Sequence, residues 1–219
     1  MTKEKVHEYE CQDIIVRYNL KRCIHAEECV RGLPAVFDPG RRPWIQPDKS
    51  PVERVSEVVM RCPTGALAFD RTDGGEVEPL PETNSVLVIE DGPLYVRGNV
   101  QLTTSDEIEL IRETRLGLCR CGASANKPYC DNSHLESGFQ ANSSVADIQT
   151  ETVDQNPTGI LKVIPTLNGP VIMRGNFEIR NTEGGSMFRG TDTALCRCGG
   201  SQNKPFCDGT HKRIGFSSE

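Results

Sequence analysis

Hydrophobic and polar positions change period several times along this chain, and each change marks an element. Ile14, Ile15, Val16 and Tyr18 form an apolar run bounded by Asp13 and Asn19, which predicts a strand. Val52, Val55 and Val59 recur at i, i+3 and i+7 with Glu53, Arg54 and Glu57 between them, which predicts an amphipathic helix. Ser50, Pro51 and Glu53 stand in capping-box order at its start, with Ser50 as N-cap and Pro51 at the first helical position. Further on, residues 85–90 and 94–97 flank Asp91-Gly92-Pro93 and predict two strands across a turn. The layout returns at 161–174, where Gly92-Pro93 and Arg97-Gly98-Asn99 recur as Gly169-Pro170 and Arg174-Gly175-Asn176, 77 residues on. Two stretches carry no period: 71–82 is rich in Gly, Pro and acid, and 141–159 is polar. They divide the chain into 1–75, 84–140 and 158–219.

The second and third parts share more than strands. Each contains C-x-C-x8-C-x3-H: Cys119, Cys121, Cys130 and His134, then Cys196, Cys198, Cys207 and His211, again offset by 77. The gapless agreement points to duplication of one unit. Three thiolates and one imidazole within so short a span are a metal-centre signature. Thiolates are soft donors that suit iron–sulfur clusters and must lose their protons to bind. The C-x-C pair can hold one iron, and Cys130 with His134, four apart, a second if the stretch between them is helical. Asp131 and Asp208 are expected to cap that short helix. Zinc is the alternative metal, since three Cys and one His also make a structural zinc set. Nucleophilic catalysis by Cys130 with His134 is disfavoured, because four ligands leave neither group free, so no enzyme activity is expected.

Composition narrows the picture. Of 219 residues only 36% are hydrophobic and 5% aromatic, so three small units would each have a thin core and need a staple, which metal centres would supply. A formal charge of −6 argues against nucleic acid or an acidic membrane as partner and favours a basic redox protein. Residues 1–10 lack the apolar run of a secretory signal, and no segment approaches the roughly 20 apolar residues of a membrane span. A cytoplasmic protein is expected, in a reducing compartment where ten Cys serve metal rather than disulfides.

The runs Cys119-Arg-Cys-Gly-Ala-Ser-Ala-Asn-Lys-Pro-Tyr-Cys-Asp-Asn-Ser-His134 and Cys196-Arg-Cys-Gly-Gly-Ser-Gln-Asn-Lys-Pro-Phe-Cys-Asp-Gly-Thr-His211 resemble the CDGSH iron–sulfur (mitoNEET-type) family. The resemblance implies that each set holds one 2Fe-2S cluster. It departs at Asn132, where the family usually has Gly, and at Thr210, where Ser is commoner; Asn is the residue after Gly that best tolerates a left-handed backbone. Single-copy members pair about a two-fold axis, which implies that the two copies form that pair within one chain, as a monomer with an internal pseudo-two-fold.

Residues 9–70 resemble a divergent single-cluster ferredoxin domain, through Cys23-Ile-His-Ala-Glu-Glu-Cys29, Gly32-Leu-Pro-Ala-Val-Phe-Asp38, Pro43-Trp-Ile45 and Arg61-Cys-Pro-Thr-Gly-Ala-Leu67. Cys23, Cys29 and Cys62 are its implied thiolate ligands. Ala26 stands where the middle Cys of C-x2-C-x2-C would be, which leaves two states: a 3Fe-4S centre on three Cys, or a 4Fe-4S centre with His25 or Cys11 as fourth ligand. Trp44 is expected to pack in the core. The expected architecture is α+β, a small ferredoxin-like domain followed by two β-rich units. The expected role is electron transfer between a reductase and an oxidase partner, with transfer of labile clusters to an apo-acceptor, or redox sensing, as the alternative.

Overall fold

The computed structural model describes residues 5–143, 149–150 and 159–218. The chain divides into two compact units, Met1–Pro79 and Leu80–Glu219. Sheet predominates, with a few short helices.

In the first unit β1 (Val6–Glu10), β2 (Ile14–Asn19) and β3 (Leu67–Arg71) form a three-stranded sheet in that order, each pair antiparallel. Between β2 and β3 lie α1 (Glu28–Gly32) and α2 (Val52–Met60). Helix α2 buries Val55, Val58 and Val59 against Ile14, Val16, Phe37 and Ile45, as its apolar stripe predicts. The capping box does not form: Pro51 takes the N-cap position with ψ 141°, so the helix starts one residue late and Ser50 lies outside it without a capping bond. Strands β1 and β3 escaped prediction because β1 alternates half-buried with exposed positions in polar residues and β3 is only five residues long.

In the second unit β4 (Ser85–Val88), β5 (Leu94–Thr103), β6 (Glu109–Leu118) and α3 (Ser133–Glu136) make the first copy. After β7 (Gln149–Thr150), the second copy has β8 (Leu161–Pro165), β9 (Val171–Asn181), β10 (Ser186–Leu195) and α4 (Thr210–Arg213). Of the polar stretch 141–159, only 141–143, 149–150 and 159 fall within the described residues. The two copies do not build separate sheets. Long hairpins β5–β6 and β9–β10 are bridged by the short strands β4 and β8 in one sheet. Each short strand is antiparallel to its own copy's hairpin and parallel to the other's: Val86 faces Val96 and Ile179, while Val163 faces Met173 and Leu102. The pairings are reciprocal under the 77-residue offset.

The Arg-Gly-Asn repeats mark where a long strand changes partner. A β-carbon on Gly98 would sit 2.1 Å from Asn84 Oδ1, and one on Gly175 would sit 2.2 Å from the Ile160 carbonyl oxygen. Buried Asn84 accepts from the Asn99 amide and donates to the carbonyls of Gly159 and Asn176, joining the copies. One core unites both, with Val86, Leu116, Phe177 and Phe206 among its members. The thin core expected of separate units is thus thickened by sharing. Among the described residues no helix is long and apolar enough to cross a membrane.

Candidate metal centres

Strand β6 ends at Leu118, and the loop that follows is tied back to it. The Cys119 amide donates to the Pro128 carbonyl, and the Cys130 amide to the Gly117 carbonyl. Ser124 holds the loop from within: its hydroxyl donates to the Tyr129 carbonyl at 2.7 Å and accepts from the Asn126 amide at 3.0 Å, while Lys127 Nζ caps the Ser124 carbonyl at 2.7 Å. Ser201, Asn203, Phe206 and Lys204 repeat every one of these bonds. The repeated Ser, Asn, Lys and aromatic positions are therefore loop braces, a role invisible in spacing alone.

These braces bring the donors together in pairs. Cys119 Sγ and Cys121 Sγ lie 3.6 Å apart, and Cys130 Sγ lies 3.5 Å from His134 Nδ1. In the second copy the Cys196–Cys198 separation is 3.9 Å, and Cys207 Sγ to His211 Nδ1 is 3.4 Å. Two ligands bonded to one tetrahedral metal at ~2.3 Å for sulfur and ~2.0–2.1 Å for nitrogen stand about 3.6–3.8 Å apart. Each pair is thus spaced for a single metal. Among the described residues no three His, Cys, Asp or Glu side chains gather for one ion. Each copy thus presents two donor pairs, one of two Cys sulfurs and one of a Cys sulfur with an imidazole nitrogen.

The third Cys and the His meet through a turn rather than along a helix. Asn132 (φ 73°) and Gly209 (φ 82°) are left-handed, and α3 and α4 begin only after them. Asn132 therefore adopts the conformation that its Gly counterpart does. The amides of Asn132 and Gly209 donate to Cys130 Sγ and Cys207 Sγ, each at 3.4 Å. Asp131 and Asp208 act as cross-loop ties more than as helix caps, accepting from the Ala125 and Gln202 amides on one side and from those of Ser133 and Thr210 on the other.

The Gln202 and Thr210 amides hold the Asp208 carboxyl far below its ordinary value. A depressed native pKa contributes stability that is complete above the ordinary carboxylate value of about 4 and is lost as pH falls through the native value. Asp208→Asn is expected to flatten the acid limb of the stability curve below about pH 4. Urea unfolding at several acidic pH values checks this; an unchanged limb counts against the tie.

Arg120 and Arg197, which follow the first Cys of each set, are structural and buried. Arg120, 1% exposed, donates to the carbonyls of Ile89, Gly92, Ala141 and Asn142. Arg197 donates to those of Thr166 and Gly169 and lies 5.4 Å from the Phe216 ring centroid. Burial lowers the Arg120 pKa to about 10, opposed by Cys196 of the other copy and by Asp91 and Cys121 of its own.

The loops also touch across the copies. A β-carbon on Gly122 would lie 2.6 Å from the Cys198 carbonyl oxygen, and one on Gly199 would lie 2.3 Å from that of Cys121. Lys127 Nζ sits 5.9 Å from the Phe216 ring and Lys204 Nζ 5.9 Å from the Phe139 ring.

Before metal binds, the thiols differ. Cys121 is pushed down to about 6, chiefly by the hydrogen bond from Cys119, whose own pKa rises. Burial raises Cys130 to about 11. Burial lowers the His134 pKa, opposed by Asp131 and aided by Arg120.

In the N-terminal unit a cavity of about 370 Å³ is lined by Cys23, Cys29, Cys62 and His25, with Trp44 and Leu67 in its wall. That is the volume of roughly twelve water molecules at about 30 Å³ each, room for more than one ion. Neighbouring Cys62 and burial push the Cys29 thiol up to about 11, with burial the larger cause. Trp44 packs edge-on against Tyr18 (centroids 4.9 Å apart) and Tyr9 (6.4 Å), so the expected packing residue also walls the cavity. Cys11 is not brought in. It precedes β2, its amide bonded to the Ile14 carbonyl, whereas Cys23 follows the strand's other end. Five residue steps of strand span about 17 Å, too far for one cluster.

Three cysteine-lined sites among the described residues are the donor sets of an iron–sulfur protein. Residues 9–72 match the family model of the divergent 4Fe-4S mono-cluster, and residues 91–135 and 168–212 match that of the iron-binding zinc finger, CDGSH type. The chain belongs to these families, one divergent 4Fe-4S domain preceding two CDGSH domains. The uncharacterized protein YjdI of Escherichia coli strain K12 is 41% identical over 61 residues, 28% of this chain and 80% of YjdI. YjdI of Escherichia coli O157:H7 matches to the same extent. No solved structure matches significantly.

Proposed function

We propose that this chain is a cytoplasmic electron carrier with three clusters, working between a reductase and an oxidase. In this reading Cys119, Cys121, Cys130 and His134 hold one 2Fe-2S cluster, and Cys196, Cys198, Cys207 and His211 hold a second. Cys23, Cys29 and Cys62 hold a third, larger one. The N-terminal unit is then ferredoxin-like, and the two copies form a pseudo-dimer within one chain, which the reciprocal strand pairing supports. The observation that carries the reading is the pairwise spacing of donors in braced loops. Iron–sulfur clusters supply one-electron chemistry; what the chain supplies is a set of ligands that need not rearrange as charge changes. Ten free Cys suit a reducing compartment.

The ligand His favours the alternative, transfer of clusters to an apo-acceptor or redox sensing, because acid competes with iron for imidazole. Mixing the loaded protein with an apo-ferredoxin separates the two. Rapid reduction and oxidation without loss of visible absorption supports the carrier; loss here with gain by the acceptor refutes it.

Acid lability follows from the same ligand. His134 must be neutral to bind, so its hold weakens as pH falls below the ordinary imidazole value near 6.5. His134→Cys is expected to keep its cluster to lower pH than the parent chain. Decay of visible absorption at the same rate in both would contradict this.

A further inference from the structure

We propose that His25 is the fourth protein ligand of the N-terminal centre, so that this site is a three-thiolate, one-imidazole 4Fe-4S cluster. The inference rests on the reading of Cys23, Cys29 and Cys62 as ligands and names what completes them.

The cavity wall decides among donors. Cys11 is excluded by the length of β2. Ala26, at the place of a middle Cys, has no donor atom. Of the polar side chains that line the cavity, Arg42 carries a fixed positive charge and does not ligate. Tyr18 is buried and its hydroxyl is engaged in a hydrogen bond with Cys23. Glu27 is paired with Arg31 at 2.6 Å. The Thr64 hydroxyl accepts from the Ala66 amide at 3.3 Å. Glu28 and His25 remain. A carboxylate is a hard donor, whereas imidazole suits iron, so the chemistry selects His25.

The backbone agrees. His25 has φ 54° and Glu27 has φ 61°, both left-handed and neither a glycine. Such conformations are costly for residues other than glycine and persist where the surroundings require them. Placed on either side of Ala26, they fold the 23–29 loop around the cavity, so that the ligand lost at position 26 is regained one residue earlier. A neutral imidazole in place of a fourth thiolate leaves the centre one charge less negative, which raises its reduction potential relative to an all-Cys centre.

The test uses the full chain, purified without oxygen, with iron and sulfide analysis and paramagnetic resonance of the reduced and oxidised forms. In the parent chain the reduced four-iron signal is expected to show coupling to imidazole nitrogen. His25→Ala should lose that coupling and yield a three-iron signal on oxidation. His25→Cys should keep the four-iron signal, lose the nitrogen coupling and shift the potential downward. Cys11→Ala should change nothing. Unaltered four-iron signal and nitrogen coupling in His25→Ala, or a three-iron centre in the parent chain, would overturn the assignment. Cys62→Ala separates this from the underlying reading: if it leaves the iron content unchanged, the cavity is not a cluster site at all. His25 is exposed, so its variants are not expected to disturb folding.

Discussion

Gly199→Ala is expected to remove both CDGSH clusters at once, although the residue belongs to only one loop. Its added β-carbon would stand 2.3 Å from the carbonyl oxygen and 2.9 Å from the carbonyl carbon of Cys121, a ligand of the other centre. Both are backbone atoms that cannot swing aside. The residue also sits at φ 77°, which alanine adopts at a cost of about 1–2 kcal/mol. Strain and overlap together should exceed about 3 kcal/mol and force the loops apart. Gly209→Ala is the control: it shares the left-handed backbone, at φ 82°, but its β-carbon meets nothing within 4 Å. It should cost about 1 kcal/mol and retain both clusters, as Asn132 does at the equivalent place in the first copy. Visible absorption and iron content of the two variants make the comparison; retention of both clusters by Gly199→Ala would contradict the contact between loops.

The second large effect concerns a buried cation. Arg120→Met should destabilise the second unit by about 4 kcal/mol, and Arg197→Met by about half as much. Among the described residues Arg120 satisfies four backbone carbonyls, in the β4–β5 turn and in the chain leaving the first cluster loop, and Arg197 satisfies two. Methionine fills much of the space but leaves those oxygens without donors, and an unsatisfied buried acceptor costs about 1–3 kcal/mol. Urea unfolding of the two variants under one set of conditions gives the order. Equal costs, or a smaller one for Arg120, would count against the role assigned to the extra carbonyls.

The candidate ligands were legible from sequence because their chemistry is local: C-x-C-x8-C-x3-H survives without knowledge of the fold. Val55 and Val59 were legible for the same reason, as one turn of period on one helix. What could not be read depended on residues far apart. The exchange of β4 and β8 between hairpins arises from pairings such as Val86 with Ile179, and nothing in either strand names its distant partner. Strand β6 was missed because its first half, Glu109 to Thr114, is charged and mostly outward, with burial beginning only near Arg115. The burial of Arg120 was not legible either, because Arg is rarely buried, and only the turn carbonyls explain why it is buried here. Between His25 and Cys11 the sequence favoured His25 only weakly, by its place beside Ala26; the rise of β2 separates them further.

Iron and acid-labile sulfide per chain, measured on protein purified without oxygen, test the central claim most directly. Two 2Fe-2S clusters and one 4Fe-4S cluster require about eight iron and about eight sulfide per chain, with strong visible absorption. A colourless, folded protein that contains zinc and no sulfide would contradict the account.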